Sequence, residues 1–348
     1  MPSGLNRLQT EIYKVAAKTL RLCAHEHYED CPWREQALYA MDSRNQMLFG
    51  YGAFGETALP KESLRLLAQG QKPYGLLELC APAMLPDKIN IPSFSLIWVC
   101  ALEEYYRQTQ DLPFVREMLP VAERIFAFFK SYLGEDGLVG MPVGYWNFYE
   151  WAPMLDGGGT SEEKEARAKG ADAPLNAFYL MALRAYRVLL KAVGEHVRAL
   201  DADQRIAKTA LAYHNAFYSP THRAYRLSTV GEWREQYPEL VQALSVVADV
   251  CPNVGMRRGL VLRLADGAFL PRVTLSHRVY YYDALLTEPD LRERVLADVE
   301  EHWLPMLCAG ATAFWETELG EADFDRAGSL CHGWSAAPIY VYWKCFGV

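Results

Sequence analysis

The sequence has no long apolar run, no cluster of basic residues and no closely spaced pair of cysteines, and each absence excludes a class of protein. No apolar stretch approaches the roughly 18 residues that a membrane-spanning helix requires, and the N-terminus lacks the basic and apolar regions of a signal peptide. We therefore expect a cytoplasmic protein without a membrane partner. The 35 lysines and arginines are scattered and the net charge is −8, which argues against a nucleic-acid partner.

Cysteine pairs with metal-ligand spacing are also missing. The eight cysteines are dispersed and several lie within apolar helical patterns, which predicts buried free thiols. The segment HEHYED (25–30) contains several possible zinc ligands, but His25 and His27 are two residues apart and would point to different faces at the end of a helix. We therefore expect neither a metal ion nor another cofactor.

Alternation of apolar and polar residues, the pattern of β-strands, is almost absent, whereas apolar residues recur at helical spacing along most of the chain. Segments rich in helix breakers separate the helical stretches and none resembles a domain linker, so we expect one domain over residues 1–348. Twelve helices are predicted, near residues 5–26, 34–54, 61–69, 93–109, 114–133, 173–193, 200–218, 238–251, 254–265, 274–286, 290–308 and 329–346.

Twelve consecutive helices without a repeat motif are typical of two all-α architectures, an irregular solenoid or a closed toroid of six helical hairpins, the (α/α)6 barrel. The richness in aromatic residues favours the barrel. Segment 144–159, GYWNFYEWAPMLDGGG, interleaves five aromatic residues with Asn147, Glu150 and Asp156. Such a segment predicts either a platform for the apolar face of a sugar ring or a loop that its aromatic side chains hold to the barrel rim.

The stretch DCPWREQALYAMD (30–42) places three acids in a segment that otherwise has the apolar pattern of a helix. Pro32 suits the first turn of a helix, which would place Asp30 near the N-cap and Glu35 in or just after the first turn. Asp42 follows Glu35 by seven residues, or two helical turns, so we expect both carboxyl groups on one face.

The position of Asp42 needs its own explanation. The helix dipole stabilises acids at a helix N-terminus, which alone would account for Asp30 and Glu35. Asp42 lies further in, among apolar residues, where a carboxylate is tolerated only if it is exposed or has a partner, for example Arg34 or Arg44.

A second acidic cluster lies near the C-terminus. Glu316 follows an aromatic pair in a loop after a helix, and His332 and Trp334 come at the start of the last predicted helix. The first and last hairpins of a six-hairpin barrel are neighbours, so we expect Glu316 to face Glu35 across one cavity.

Two carboxyl groups on either side of a glycosidic bond are what its hydrolysis requires. One donates a proton to the leaving oxygen, and the other activates water or attacks the anomeric carbon. Ionised Asp30 and Asp42 would favour the protonated form of Glu35 by like-charge repulsion, and Trp33 would add desolvation.

Four motifs, DCPWREQALYAMDSRNQ, INIPSFSLIWVCAL, FWE and SLCHGWSAAP, resemble the catalytic domain of the α-L-rhamnosidases, glycoside hydrolase family 78. The resemblance extends from about Leu5 to Val348. It implies an (α/α)6 barrel that hydrolyses terminal α-L-rhamnosides with inversion of configuration and without a catalytic metal.

The resemblance also implies roles for individual residues. Glu35 is expected to be the general acid, and Glu316 the general base that activates water. The expected substrate-binding residues are Asp30, Arg34, Asp42, Trp146, Glu150, Trp151, His332 and Trp334.

The sequence departs from the family pattern in three respects. Tyr39-Ala40-Met41 stands where many members have Gly-Trp ahead of the second aspartate, and Glu150 replaces an aspartate, so the identity of the sugar stays open. Members normally carry β-sandwich domains around the barrel, and this sequence has none. A fragment, a minimal form, a homo-oligomer and an enzyme with a separate β-domain partner all stay open.

Two other functions remain alternatives. An unsaturated glucuronyl hydrolase uses the same toroid but relies on an aspartate to hydrate a double bond. A barrel that has lost its activity would be a sugar-binding module, although the presence of both Glu35 and Glu316 argues against it. In each case the expected partner is a carbohydrate.

Overall fold

The computed structural model describes residues 1–81, 83 and 89–347, and this part of the chain is predominantly helical. It contains two short antiparallel ribbons, β1 (Leu38–Tyr39) with β2 (Cys80–Ala81) and β3 (Tyr218–Ser219) with β4 (Ala224–Tyr225). Thirteen α-helices are described, namely α1 (Arg7–Leu22), α2 (Ala40–Phe54), α3 (Ala58–Gln69), α4 (Pro92–Thr109), α5 (Leu112–Lys130), α6 (Ser161–Arg167), α7 (Ala173–Val193), α8 (His196–Phe217), α9 (Glu239–Val247), α10 (Val254–Ala265), α11 (Arg278–Leu285), α12 (Arg292–Cys308) and α13 (Pro338–Phe346).

Twelve of these helices form two concentric rings. In the inner ring α2, α4, α7, α9 and α11 pack in that order, and α13 packs against α2. The outer ring consists of α1, α3, α5, α8, α10 and α12, each packed against inner helices, and α1 also contacts α12. The first and last helices of the chain are therefore neighbours, and the predicted all-α (α/α)6 barrel is confirmed.

The two rings explain the two kinds of helical sequence. Inner helices have neighbours on all sides, so α4 is buried at every residue from Pro92 to Glu103, most of which are apolar. An outer helix buries one face only. In α1 that face contains Ile12, Ala16 and Leu20, at the helical spacing expected of a surface helix.

Helix α2 is an inner helix with an unusually polar sequence, and its buried polar side chains have partners. The guanidinium of Arg44 donates two hydrogen bonds to Glu104 of α4, at 2.9 and 2.6 Å. The amide of Gln46 donates to the backbone carbonyl of Glu29 at 2.8 Å. These bonds fix the rotation of α2 about its axis and thereby the direction of Asp42 in its first turn.

The predicted helix near 34–54 begins only at Ala40. Residues 30–37 form a closed turn, because the N–H of Asp30 donates to the carbonyl of Ala37 at 3.0 Å and the N–H of Ala37 donates to Oδ1 of Asp30 at 2.8 Å. Gln36 has a φ of 51°, outside the right-handed helical region. The placement of Glu35 and Asp42 two turns apart on one helix is therefore wrong.

Other boundaries also differ from the prediction. The last helix begins at Pro338 because a 3₁₀ turn, Gly333–Ala336, precedes it. Helix α6 was not predicted, although Thr160 and Glu163 form a reciprocal capping box whose T-x-x-E pattern is visible in the sequence. In the described part of the chain no helix is both long and apolar enough to cross a membrane.

The cysteines are free thiols, as predicted, but most of them are not fully buried. All eight are free thiols, but only three of them are buried and Cys308 is exposed.

Candidate active site

The site lies where the inner helices begin. The segments that precede α2, α4 and α13, together with segment 144–159, surround a cavity of about 180 Å³, hereafter the site cavity. Eight of the ten predicted site residues line it. The lining residues are Asp30, Glu35, Tyr39, Met41, Asp42, Ile91, Phe94, Trp146, Phe148, Trp151, Glu316, His332 and Trp334.

Glu35 reaches the site cavity from the tip of the turn 30–37. Its carboxyl group is exposed, and Oε2 accepts a hydrogen bond of 2.6 Å from the hydroxyl of Tyr39. Trp33, on the same turn, is 86% exposed. The expectation that Trp33 desolvates Glu35 is therefore wrong, because an indole in solvent does not exclude water from a neighbouring carboxyl group.

Asp30 and Asp42 are buried in the floor of the site cavity, each with 4% exposure. Burial raises the pKa of Asp30, and it raises the pKa of Asp42 well above its usual range. The charges of Asp30 and Glu35 raise the pKa of Asp42 further. A carboxyl group in this environment favours its protonated form, which is a hydrogen-bond donor.

The predicted partners of Asp42 do not contact it. Arg44 pairs with Glu104 instead, and Arg34 is exposed on the turn 30–37. Oδ1 of Asp42 is buried and has no hydrogen-bond partner among the described residues. Buried polar atoms are nearly always hydrogen-bonded, so this oxygen is available for a ligand in the site cavity.

Glu316 comes from the opposite end of the chain and is fixed by the backbone of one residue. The N–H of Ser329 donates to Oε2 of Glu316 at 2.9 Å, and the N–H of Glu316 donates to the carbonyl of Ser329 at 2.8 Å. Burial raises the pKa of Glu316, the hydrogen bonds from Ser329 oppose this, and the charges of Glu35 and Asp30 add to it. The structure thus brings Glu35 and Glu316 to one cavity.

His332 and Trp334 form a stacked pair in the wall, with ring centroids 3.6 Å apart. Burial lowers the pKa of His332 to about 3, so its imidazole is neutral near pH 7. Its Nε2 lies 3.8 Å from Oδ2 of Asp30 and 4.0 Å from Oδ1 of Asp42, distances that are too long for hydrogen bonds. The indole N–H of Trp334 donates to the carbonyl of Glu316 at 2.8 Å.

The opposite wall is aromatic and is formed by segment 144–159. Trp146, Phe148 and Trp151 contact one another edge to face, with ring centroids 4.9 to 6.1 Å apart. The indole N–H of Trp146 donates to the carbonyl of Asp156 at 2.8 Å, which holds the ring in place. Trp151 is 38% exposed at the rim of the site cavity.

Two of the predicted site residues lie elsewhere. Arg34 does not line the site cavity and is exposed on the turn 30–37. Glu150 is fully buried away from it, where Oε2 accepts hydrogen bonds from the N–H and the hydroxyl of Thr274 at 2.9 and 3.0 Å. Burial raises the pKa of Glu150 to about 8. Its contacts tie the aromatic segment to the residues that precede α11.

Five lining residues carried no predicted role, namely Tyr39, Met41, Ile91, Phe94 and Phe148. Four of them belong to the motifs DCPWREQALYAMDSRNQ and INIPSFSLIWVCAL, and Phe148 belongs to the aromatic segment. Their position within these motifs and this segment is the feature of the sequence that could have identified them as lining residues. Among the described residues, no three His, Cys, Asp or Glu side chains are arranged to hold a metal ion.

The sequence matches a protein family over most of its length. The family model of the bacterial alpha-L-rhamnosidase 6 hairpin glycosidase domain matches residues 5–253. The chain belongs to this family. The resemblance that the four motifs indicated is thereby confirmed, and the family is one of glycosidases. Among curated proteins, none matches the chain significantly.

Solved structures show the same fold. The GH78 family rhamnosidase of Bacillus sp. GL1 is 24% identical with a TM-score of 0.85, and the match covers 98% of this chain and 35% of that one. The rhamnosidase from Klebsiella oxytoca with rhamnose bound is 24% identical with a TM-score of 0.84, and the match covers 100% and 65%. This barrel therefore spans about a third and about two thirds of the length of these two enzymes.

A third structure is similar to this chain over its own full length. The GH63 mannosylglycerate hydrolase from Thermus thermophilus is 14% identical with a TM-score of 0.65, and the match covers 94% of this chain and 99% of that one. At such identities the likeness establishes the six-hairpin fold.

Proposed function

We propose that this barrel hydrolyses terminal α-L-rhamnosides with inversion of configuration, with Glu35 as general acid and Glu316 as general base. The observation that carries the proposal is that two carboxyl groups from opposite ends of the chain line one cavity between an aromatic wall and two buried aspartates. Hydrolysis of a glycosidic bond requires such a pair.

The site cavity suits one terminal sugar. Its volume of about 180 Å³ is small, and the aromatic wall of Trp146 and Trp151 fits the apolar face of a deoxy sugar. Asp30, Asp42 and His332 lie in the opposite part of the lining and supply donors and acceptors for its hydroxyl groups. A protonated Asp42 donates, and the neutral imidazole of His332 has one donor and one acceptor nitrogen.

The environments of the two glutamates suit their different tasks. Glu316 is half-buried and held by Ser329, and its raised pKa makes the ionised carboxylate a stronger base toward water. Water attacks the anomeric carbon and gives its proton to Glu316, while Glu35 gives a proton to the glycosidic oxygen. Glu35 is exposed, which leaves room for the departing group beside it.

The experiment separates the two roles by the leaving group. Wild-type protein, Glu35→Gln and Glu316→Gln are assayed on methyl α-L-rhamnoside and on 2,4-dinitrophenyl α-L-rhamnoside. The dinitrophenolate departs without a proton, so Glu35→Gln should lose at least about 100-fold on the methyl glycoside and much less on the activated one. Glu316→Gln should lose activity on both, because each reaction needs activated water.

The product supplies the second test. Proton magnetic resonance should show the β anomer of rhamnose as the first product, before mutarotation. Glu321→Gln, an exposed acid in the loop that carries Glu316, serves as the control and should retain full activity. First release of the α anomer would exclude inversion, and equal losses of Glu35→Gln on both substrates would exclude its role as acid.

Mannosylglycerate is a second candidate substrate, because the mannosylglycerate hydrolase matches this chain over nearly the full length of both proteins. Mannosylglycerate is therefore assayed beside the rhamnosides, together with an unsaturated uronide for the glucuronyl hydrolase alternative. Turnover of either compound without turnover of a rhamnoside would replace the proposal. Binding of rhamnose with no turnover of any of these compounds would favour a sugar-binding module.

A further inference from the structure

A second cavity of about 460 Å³ adjoins the aromatic wall of the site cavity, and we call it the outer cavity. Tyr145 and Asn147 line it, whereas Trp146 between them lines the site cavity. The indole of Trp146 bonds the carbonyl of Asp156, and a Cβ on Gly157 would lie 2.6 Å from its Cδ1. Asp156 and Gly157 also line the outer cavity, so Trp146 separates the two spaces.

The outer cavity has an aromatic surface on a fixed support. Trp233 is half-buried in its lining, and the guanidinium of Arg167 lies 5.7 Å from the centre of that ring. Arg167 is itself buried, its Nη1 donates to the carbonyl of Met154 at 2.7 Å, and its Nε forms an ion pair with Asp172 at 2.9 Å. The indole is therefore positioned before any ligand arrives.

The charges around the outer cavity exclude one class of ligand. Four acids and two bases line it, namely Asp156, Glu163, Glu165, Glu232, Lys164 and Arg167. An excess of acids repels phosphates and carboxylates. Carboxylates, an ammonium group and an amide beside Trp233 and Tyr145 offer donors and acceptors around an aromatic surface, which is the composition that neutral sugars require.

We propose that the outer cavity is an accessory carbohydrate site, which holds a neutral sugar of the substrate beyond the residue that is cleaved. The inference rests on the proposed function, because it assigns this space to the glycan that leaves in that reaction. Trp146 stands between the two spaces, so a glycan whose terminal sugar lies in the site cavity, with its glycosidic oxygen toward Glu35, reaches Trp233 by passing over the rim formed by Trp151. The site cavity itself has room only for the terminal sugar.

The experiment compares a substrate that reaches the outer cavity with one that does not. Nitrophenyl α-L-rhamnoside has one sugar, and a trisaccharide of α-L-rhamnose linked to cellobiose has two more. Trp233→Ala should lower kcat/KM for the trisaccharide about ten-fold, mostly through KM, which corresponds to the loss of about 1.4 kcal/mol of binding free energy. Its kcat/KM for the nitrophenyl rhamnoside should stay within about two-fold of wild type.

Two further variants test whether the effect belongs to the aromatic surface. Trp233→Phe keeps a flat ring and should retain most of the activity on the trisaccharide. Val197→Ala, at an exposed residue near the start of α8, should leave both substrates unaffected. Equal losses of Trp233→Ala on both substrates would reveal a merely structural role and overturn the inference, and so would unchanged KM on the trisaccharide.

Binding of cellobiose, measured by calorimetry, is independent of turnover and of rhamnose. Wild-type protein should bind it more tightly than Trp233→Ala does. If wild type turns over neither rhamnoside, the proposed function has failed, and weaker binding of cellobiose to Trp233→Ala would still support the accessory site. Absent binding, or binding that Trp233→Ala leaves unchanged, would overturn the accessory site whatever the turnover shows.

Discussion

The hydroxyl group of Tyr39 donates a hydrogen bond of 2.6 Å to Oε2 of Glu35. Tyr39 belongs to β1, whose pairing with β2 fixes its backbone, whereas Glu35 lies at the exposed tip of the turn 30–37. Burial raises the pKa of the Tyr39 hydroxyl, so it remains a donor throughout the physiological range. The bond therefore fixes an exposed carboxyl group against the rigid part of the barrel.

The first prediction concerns this bond. Tyr39→Phe should lower kcat/KM on the methyl rhamnoside about 5- to 20-fold, because Glu35 then samples orientations that cannot protonate the leaving oxygen. The thermal midpoint should change little, since the carboxyl group that is released stays in water. Activity of Tyr39→Phe on the dinitrophenyl rhamnoside should be close to that of wild type.

The control for this variant is Tyr51→Phe in α2. The hydroxyl of Tyr51 is buried and has no hydrogen-bond partner among the described residues, so its removal breaks no bond in this part of the chain. Its activity should match that of wild type. Full activity of Tyr39→Phe on the methyl rhamnoside would show that Glu35 needs no support from Tyr39.

The second prediction concerns the dependence of activity on pH. Burial, followed by the charges of Glu35 and Asp30, raises the pKa of Glu316 above its ordinary value of 4.5. A general base must be ionised, so activity is lost as the pH falls through this pKa. The acidic limb of the profile of kcat/KM against pH should therefore have its midpoint above pH 4.5. A midpoint at or below pH 4.5 would contradict the assignment of Glu316 as the base.

The helices of the barrel could be predicted because helical periodicity is a property of each short segment of the sequence. Inner helices such as α4 bury residues on every side and outer helices such as α1 bury one face, so periodicity predicts the twelve helices of the two rings. The choice of a closed barrel over a solenoid came from the aromatic richness and the four motifs. The turn 30–37 could not be predicted in the same way. Pro32 suits a helix start, but the hydrogen bonds between Asp30 and Ala37 close a turn instead, and the residues that follow pair as β1 with β2, about forty residues away.

The site shows the same limit. The motifs contain acids that line one cavity, although the helical face that was expected to join Glu35 and Asp42 does not exist. Arg34 and Glu150 lie close in sequence to lining residues, but the direction of a side chain within a loop depends on tertiary contacts. The hydrogen bonds that Glu150 accepts from Thr274, 124 residues later, are such contacts, and no local sequence pattern predicts them.

The third prediction concerns stability. Because burial raises the pKa of Asp42 in the folded protein, its carboxyl group ionises more readily in the unfolded chain, and stability falls as the pH rises above about 3.8, the ordinary value for the group. Asparagine is neutral at every pH. Asp42→Asn should therefore raise the free energy of unfolding at pH 7, on the order of 1–3 kcal/mol, and the gain should vanish below about pH 3.8. Activity should fall at the same time.

Thermal unfolding between pH 3.5 and 8 measures the effect of Asp42→Asn, and Asp290→Asn is its control. The ion pair with Arg258 lowers the pKa of Asp290, so this substitution should have the opposite sign and slightly lower the thermal midpoint at pH 7. An unchanged or lower midpoint for Asp42→Asn at pH 7 would mean that the buried carboxylate has a favourable partner.

The fourth prediction tests how closely the last segment of the chain packs against the first. A Cβ on Gly333 would overlap the amide nitrogen of Gln46, which donates to the carbonyl of Glu29 at 2.8 Å. The N–H of Gly333 also donates to the carbonyl of Asp30 at 2.7 Å. Gly333→Ala should thus displace both Gln46 and Asp30 and lower the free energy of unfolding by about 1–3 kcal/mol.

Gly259→Ala in α10 is the matched control for Gly333→Ala. Its Cβ would meet no atom within 4 Å, and alanine favours a helix over glycine by up to about 1 kcal/mol. Chemical denaturation should therefore show opposite signs for the two substitutions. Since Gly333 bonds Asp30 in the floor of the site cavity, Gly333→Ala should also reduce activity at temperatures where the protein is fully folded. Normal activity there would mean that the contact between the two ends of the chain closes the barrel without positioning the site.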